Sequence, residues 1–129
     1  MAKQPCAKAL AATRVPATRF RTRVEMLALL EAAREAVERD LDRPLDLATL
    51  GREIGLSPYH LQRTFQRVFG STPHALRRER RLLLAESLLE SGLSIAEASA
   101  RAGFASRSSF GRLFRQRFGL TPSQVGRRR

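Results

Sequence analysis

The fold is decided by residues 103–122, which read GFASRSSFGRLFRQRFGLTP. A glycine opens this stretch, Ser106 follows as a candidate helix cap, and three phenylalanines then recur four residues apart until Gly119 and Thr121-Pro122. Apolar residues at this spacing predict one buried face of an α-helix. Glycines favour a sharp turn before such a helix and a stop after it. The stretch therefore predicts a tight turn and then a helix over about residues 107–118.

The same pattern occurs earlier in the chain. Residues 55–73 read GLSPYHLQRTFQRVFGSTP, and Phe-x-x-x-Phe-Gly-x-Thr-Pro stands in both copies, at an offset of 49. Before each turn, apolar residues at i, i+3 and i+7 predict another helix, over about 47–54 and 95–102, at an offset of 48. The change of one in the offset places an extra residue in the second turn or helix start. Each copy predicts helix, turn and helix, which is a helix-turn-helix unit.

The residues before the first copy predict a further helix, and no part of the chain predicts a strand. Sustained alternation with a period of two is absent, and β-branched residues are few. From about Val24, apolar residues recur at helical spacing, with Val24, Leu27, Leu30 and Val37 on the expected buried face. This helix should end near residues 40–43, just before Pro44.

A long linking helix is predicted between the two copies, from Thr72-Pro73 to about Ser91. At about 1.5 Å per residue it would span about 27 Å, so the second helices of the two units could sit near the ~34 Å of one DNA turn. Its leucines Leu76, Leu83 and Leu88 are expected to pack on both cores. Its four arginines could face DNA or water: they are Arg77, Arg78, Arg80 and Arg81.

These elements predict an all-α fold of about seven helices, with two helix-turn-helix units joined by the linking helix. The expected division is a basic flexible arm or linker over 1–22, a first subdomain over 23–72, the linking helix over 73–91, a second subdomain over 92–126 and a basic tail over 127–129. A last short turn begins at Thr121-Pro122.

Composition limits the functions open to this chain. Its 129 residues include 24 Lys and Arg against 12 Asp and Glu, a net charge of +12, and 43% are hydrophobic, which suffices for a packed core. The single cysteine, Cys6, cannot form an intramolecular disulfide, and no Cys/His set predicts zinc. Neither a membrane span nor a secretory signal is apparent. A small, cytoplasmic domain with a polyanionic partner and no cofactor is the expected class.

The exposed faces of the two second helices carry the residue types that read DNA, because Arg pairs with guanine and Gln with adenine in the major groove. The predicted base contacts are Tyr59, Gln62 and Arg63 in the first unit and Arg107, Ser108 and Arg112 in the second. The predicted phosphate contacts are Ser57, His60, Gln66, Arg67, Ser106 and Arg115. Gly111 stands where a reading side chain is expected. It either permits close approach of the backbone to DNA or is tolerated and reads nothing.

The buried sides of these two helices are predicted from the same spacing. Leu61, Phe65 and Phe69 form the first set, joined by Thr64 or Val68. In the second unit the buried set is Phe110, Leu113, Phe114 and Phe118. No catalytic residue is assigned.

Together these motifs resemble the DNA-binding domain of the AraC/XylS family of bacterial transcription regulators, over residues 24–126. The matching stretches are GLSPYHLxRxF from Gly55, SIAE from Ser94, and GFxSxSxFxRxF from Gly103 with FGxTP from Phe118. The resemblance implies seven helices, two helix-turn-helix units with a linking helix, and activation through contact with RNA polymerase. The size is that of short members that bind as monomers, and a fragment of a longer regulator is the rival explanation. Gly51 stands where the family usually has alanine, which should loosen the first scaffold helix.

Other functions remain as alternatives. A non-specific nucleoid or RNA-binding protein would share the charge, and a specificity ratio would separate it from a regulator. An enzyme would need reactive groups: no carboxylate pair, Ser/His/Asp set or Gly-rich phosphate loop appears, and Cys6 is a poor nucleophile candidate. A membrane-surface binder would need a continuous apolar outer face, whereas the core uses the apolar stripes.

Overall fold

The structure, a computed structural model, describes residues 22–128. Cys6, nearly all of the expected basic arm and Arg129 lie outside the described residues. The described part consists of seven α-helices without a strand, which confirms the all-α prediction. The helices are α1 (Arg23–Glu38), α2 (Leu47–Ile54), α3 (Pro58–Phe69), α4 (Pro73–Glu90), α5 (Ile95–Arg101), α6 (Arg107–Phe118) and α7 (Pro122–Arg128).

Helix boundaries follow the capping residues. The side chains of Asp46, Ser57 and Ser106 each accept a hydrogen bond from a backbone N–H in the first turn, at 3.1–3.2 Å. Two capping boxes, Thr22 with Glu25 and Ser94 with Glu97, fix the starts of α1 and α5. These bonds satisfy donors that a helix start otherwise leaves free. Two ends differ from the prediction.

The first difference is at the end of α1, which stops at Glu38, because Arg39 has an extended backbone and Asp40 has a positive φ of 47°. The second is α7, which extends to Arg128 rather than forming a single turn.

The chain forms two compact units. Within the described residues, the first comprises 22–39 and Leu45–Leu76, and the second comprises Asp40–Pro44 and 77–128. The first turn of α4 thus belongs to the first unit and the remainder to the second. In the first unit α2 packs against both α1 and α3. Its buried core consists of Leu29, Leu30, Ala33, Val37, Leu50, Ile54, Leu56, Leu61 and Phe65.

The buried face of α1 differs from the predicted one. Leu30 and Val37 are fully buried as expected, but Val24 is 76% exposed and Leu27 is 42% exposed. Their predicted places in the core were wrong, because the buried stripe runs through Leu29 and Ala33 instead. In α3, Phe69 packs against the core, Thr64 is half-buried and Val68 is exposed, so Thr64 is the residue that turns inward.

Gly51 has a specific steric role in the first unit. The carbonyl oxygen of Gly51 accepts a hydrogen bond from the N–H of Leu56 at 2.8 Å, which closes the turn. A Cβ on Gly51 would clash with the carbonyl oxygen of Leu56. The glycine therefore allows the turn to fold back on α2. It is a close-approach position and not merely a loosened one. Ser99 occupies the matching place in the second unit, and its carbonyl accepts from Phe104 at 3.0 Å.

The core of the second unit combines aliphatic residues with a row of four aromatic rings. α6 packs against both α5 and α7. The rings of Phe104, Phe110, Phe114 and Phe118 follow one another at centroid distances of 4.9, 5.5 and 4.6 Å. From α4 the buried residues are Leu82, Ala85 and Leu89.

The three leucines predicted to pack from α4 occupy different environments. Leu83 is half-buried and lies one position away from the buried stripe. Leu76 packs against the first core and Leu88 against the second.

Two arginines of α4 hold residues 40–44 on the second unit. Arg77 is 4% exposed and donates to the carbonyl oxygens of Asp40 and Arg43, both at 2.6 Å. Arg81 donates to the carbonyls of Leu41 at 2.7 Å and Arg43 at 2.9 Å. Burial lowers the pKa of both guanidinium groups. The prediction that these two arginines face DNA or water was therefore wrong: they pair with backbone carbonyls.

The extra residue between the repeats lies in the turn. Gly55-Leu56-Ser57 connects α2 to α3, whereas Ala102 to Ser106 connects α5 to α6. Ala102 matches the last residue of α2 in the repeat, so the one added residue is Ala105. Gly103 has a φ of +94°, and a Cβ there would clash with the carbonyl of Leu41. The second turn is therefore packed against residues 40–44 within its own unit.

Candidate nucleic-acid interface

The predicted contacts of the first unit lie together on the outer side of α3. Ser57 caps the helix, and the exposed side chains along it are Tyr59, His60, Gln62, Arg63, Gln66 and Arg67. The opposite side is fixed by Leu61 and Phe65, both fully buried. Because the two sets alternate at helical spacing, burying the apolar side forces the polar side outward. Tyr59 is 69% exposed, an unusual position for a large aromatic side chain.

Tyr59 and Arg63 form a pair on this surface. The Arg63 guanidinium donates to the Tyr59 hydroxyl at 2.9 Å, and its carbon lies 5.5 Å from the centre of the Tyr59 ring. The two residues are one helical turn apart, so their side chains lie side by side. This contact restricts Arg63 to fewer orientations than a free surface arginine has.

The predicted contacts of the second unit lie on the outer side of α6. Exposed residues there are Arg107, Ser108, Arg112 and Arg115, with Ser106 at the cap. The Ser106 and Ser108 hydroxyls are 3.2 Å apart. Arg112 makes only a long contact of 3.5 Å with the Ser109 hydroxyl. Gly111 stands at the position that matches Gln62 of α3, and a Cβ there would have no neighbour within 4 Å.

Not every arginine of α6 belongs to this surface. Arg117 donates to the Glu79 carboxylate through two nitrogens at 2.8–2.9 Å, and it lies over the Phe118 ring at 4.8 Å. The hydrogen bond with Glu79 raises the pKa of Arg117, and the same bond lowers the pKa of Glu79. A charge count alone does not separate this structural arginine from Arg112 and Arg115. The i, i+4 spacing of the phenylalanines distinguishes Arg117 from the other two, because it places residue 117 beside the buried face of the helix.

In residues 22–128 no group of three or more His, Cys, Asp and Glu could hold a metal ion. Over the same range, none of the helices combines the length and apolar character that crossing a membrane requires.

A helix-turn-helix domain family matches residues 50–128, more than half of the chain. The regulatory protein SoxS of Salmonella typhimurium is 32% identical over 101 residues, which cover 78% of this chain and 94% of SoxS. The structure is similar to that of a probable AraC family transcriptional regulator from Rhodopseudomonas palustris, with a TM-score of 0.72, 28% identity, and coverage of 78% and 96%. The chain belongs to the AraC/XylS family of transcription regulators. What it carries is the DNA-binding domain of that family.

Two further similarities bear on function. The DNA-binding domain of AdpA, solved in complex with a target DNA, has a TM-score of 0.68 and 28% identity, and the match covers 75% of this chain and 88% of that domain. The virulence regulon transcriptional activator VirF of Yersinia enterocolitica is 41% identical over 80 residues, 61% of this chain. The chain spans only 30% of the length of VirF, and a similar share of the other relatives near 40% identity.

Proposed function

We propose that this AraC/XylS-family chain is a sequence-specific DNA-binding regulator that activates transcription. In this proposal α3 and α6 each enter a major groove of duplex DNA, in successive turns of the helix. Tyr59, Gln62 and Arg63 contact bases from α3, and Arg107, Ser108 and Arg112 contact bases from α6. The remaining predicted residues hold phosphates: Ser57, His60, Gln66, Arg67, Ser106 and Arg115.

The observation that carries the proposal is the repeated exposed face. α3 and α6 have equal length, and each buries two large apolar side chains against its core, a Leu and a Phe in α3 and two Phe in α6. Their opposite sides present amide, hydroxyl and guanidinium groups to solvent. α6 contributes three arginines to this face, Arg107, Arg112 and Arg115, and contains no acidic residue. Such side chains match the donor and acceptor pattern of the major groove, and the capped helix starts direct free N–H groups at phosphates. The target DNA bound by the AdpA domain supports duplex DNA as the ligand.

The rival function is non-specific binding of nucleic acid, which the net charge of +12 favours. Charge alone would give affinity that depends steeply on salt and shows no preference for sequence. A sequence-specific regulator would instead bind one site at least about 10³-fold more tightly than it binds scrambled DNA.

Selection of bound duplexes from a random library at near-physiological salt tests the proposal. We expect a motif in two parts about one helical turn apart, which the whole chain binds as a monomer. A single short half-site would mean that α6 grips only the backbone. Equal affinity for the selected and the scrambled DNA, lost in salt, would overturn the regulator proposal in favour of the rival.

Arg63→Ala gives the sharpest single test of base reading. Losing a bidentate contact to guanine should cost about 1–3 kcal/mol and relax the preference at one base pair of the selected motif. Arg67→Ala is the matched control on the same helix, since loss of a phosphate contact weakens binding to every sequence alike. A uniform loss for Arg63→Ala would reassign that residue to the phosphates.

The proposal also includes a protein partner and a cellular location. Activation would act through RNA polymerase in the bacterial cytoplasm, where the DNA target resides, and the chain would need no cofactor and catalyse no reaction. Transcription from a promoter carrying the selected site, with purified polymerase and this chain, tests activation directly. A fall in transcript would make it a repressor.

A further inference from the structure

Gly111 is a conspicuous difference between the two recognition helices. α3 and α6 repeat at an offset of 49 residues, which aligns Gly111 with the exposed Gln62. At the next position the two helices carry the same side chain, because Arg63 aligns with Arg112, and at the preceding position both carry a buried apolar one, Leu61 and Phe110. At this one place α3 presents a long amide and α6 presents only the backbone.

Nothing inside the fold requires a glycine at residue 111. Its backbone is helical, and a Cβ would meet nothing within 4 Å. By contrast, a Cβ would clash with a backbone carbonyl at Gly51 and at Gly103. In a helix interior glycine is less favourable than alanine, because it loses more conformational freedom. An alanine would therefore fit at residue 111 and would favour α6.

The surroundings of Gly111 are suited to DNA. Arg107 and Arg115 lie one turn before and one turn after it, Arg112 is adjacent, and all three side chains are exposed. No acidic residue occurs in α6. The three guanidinium groups would attract DNA to this side of the helix, and a bare Cα between them lets the backbone come closer than any side chain would.

We propose that Gly111 is a specificity-determining position at which the Cα of α6 packs against the methyl group of a thymine in the major groove. The thymine methyl is the apolar feature of the major-groove edge, and small apolar groups read it by contact. This inference rests on the proposed function.

The test compares Gly111→Ala with Gly126→Ala. Gly126 is also helical and its Cβ position is also open, so both substitutions should preserve or raise the melting temperature. On the selected duplex we expect Gly111→Ala to bind about tenfold more weakly, the result of about 1.4 kcal/mol lost at a contact. Gly126→Ala should bind within twofold of the parent chain. Equal binding by both variants would overturn the proposal that the Cα of Gly111 lies against DNA.

Deoxyuridine identifies the contacted base, because it differs from thymidine by the C5 methyl alone. Each thymine of the selected site is replaced in turn. One replacement, in the half bound by α6, should weaken the parent chain about fourfold and leave Gly111→Ala unchanged. If no replacement has this pattern, the thymine assignment is wrong. If the parent chain does not distinguish selected from scrambled DNA at all, the proposed function fails, and that result is separate from any effect of Gly111→Ala.

Discussion

The two helix-turn-helix units share one backbone plan and differ in how they are held. The first is built on aliphatic residues around a single Phe65–Phe69 pair, with ring centroids 4.7 Å apart. The second has a row of four phenylalanines, an ion pair between Arg117 and Glu79, and arginines bound to a loop. The more varied set of exposed polar side chains, in contrast, lies on the first unit, which carries the Tyr59–Arg63 pair. One helix-turn-helix plan is thus built with different core packing and with different exposed side chains.

The largest effect is expected from truncating the central ring of each core. Phe65 and Phe114 are both fully buried, so replacing either with alanine should lower the free energy of unfolding by about 3–5 kcal/mol. Phe114→Ala should cost more, because Phe114 contacts two rings and Phe65 contacts one. Urea unfolding of the two variants checks the order. An equal or smaller loss for Phe114→Ala would show that the aromatic row adds nothing beyond its buried area.

The next largest effect is expected from removing the contacts between Arg77 and the loop of residues 40–44, which belong to the second unit. Arg77→Met keeps the volume of the side chain but removes the donors to the Asp40 and Arg43 carbonyls. Losing two hydrogen bonds from a buried guanidinium should cost about 2 kcal/mol, although the Arg43 N–H still donates to the Asp40 carbonyl and Arg81 to the Arg43 carbonyl. Arg78→Met is the matched control one residue later, on an exposed position, and should change stability by less than about 0.5 kcal/mol. Equal melting temperatures for the two variants would mean that the loop finds other donors.

A smaller effect is expected on recognition, from the Tyr59–Arg63 pair. Tyr59→Phe removes the hydroxyl that accepts from Arg63 and keeps the ring beneath it. Loss of one exposed hydrogen bond, about 0.5–1 kcal/mol, should weaken binding to the selected duplex two- to fivefold. The loss should be confined to the base pair that Arg63 reads.

Ser109→Ala is the control for this prediction in the second unit, where the contact with Arg112 is only 3.5 Å long, and it should bind within twofold. If Tyr59→Phe weakens binding to all sequences equally, the Tyr59 hydroxyl contacts a phosphate, and it neither reads a base nor positions Arg63.

Local signals made most of the fold predictable. Capping residues and glycines mark helix ends directly, so Asp46, Ser57, Ser94 and Ser106 located four of the seven helix starts. The outward placement of the predicted contact residues followed from the apolar spacing. Which of them touch DNA depends on the ligand, and so remains a prediction.

Long-range packing was beyond the sequence signals. α1 contains several alanines, and two of its faces are almost equally apolar, so spacing could not decide between Leu27 and Leu29. Arg77 and Arg81 bind carbonyls 34–40 residues away, and a charge pattern carries no information about such partners. The clash that a side chain at Gly51 would cause likewise depends on the path of the turn.

The smallest expected effect is the change in stability at low pH, and it differs between one carboxylate of each unit. In the first, hydrogen bonds from the Thr49 hydroxyl and backbone lower the pKa of Asp46. In the second, the hydrogen bond from Arg117 lowers the pKa of Glu79. A carboxylate whose pKa is lower in the folded state stabilises the fold above its unfolded pKa, and this contribution disappears as pH falls through the folded pKa.

Glu79→Gln should therefore reduce stability at pH 6–7 by about 1 kcal/mol or less, because the pair is partly exposed. The difference from the parent chain should shrink as the pH falls below the unfolded-state pKa of a glutamate, about 4.3, and should disappear below the lower pKa that Glu79 has in the folded chain. Asp46→Asn keeps an oxygen that can accept at the helix start, so its loss at neutral pH should be smaller still. Urea unfolding at several pH values between 3 and 7 measures both. A stability difference for Glu79→Gln that stays constant across this range would mean that Arg117 does not favour the ionised carboxylate, and the second unit would then owe its additional tethering to the loop and the aromatic row alone.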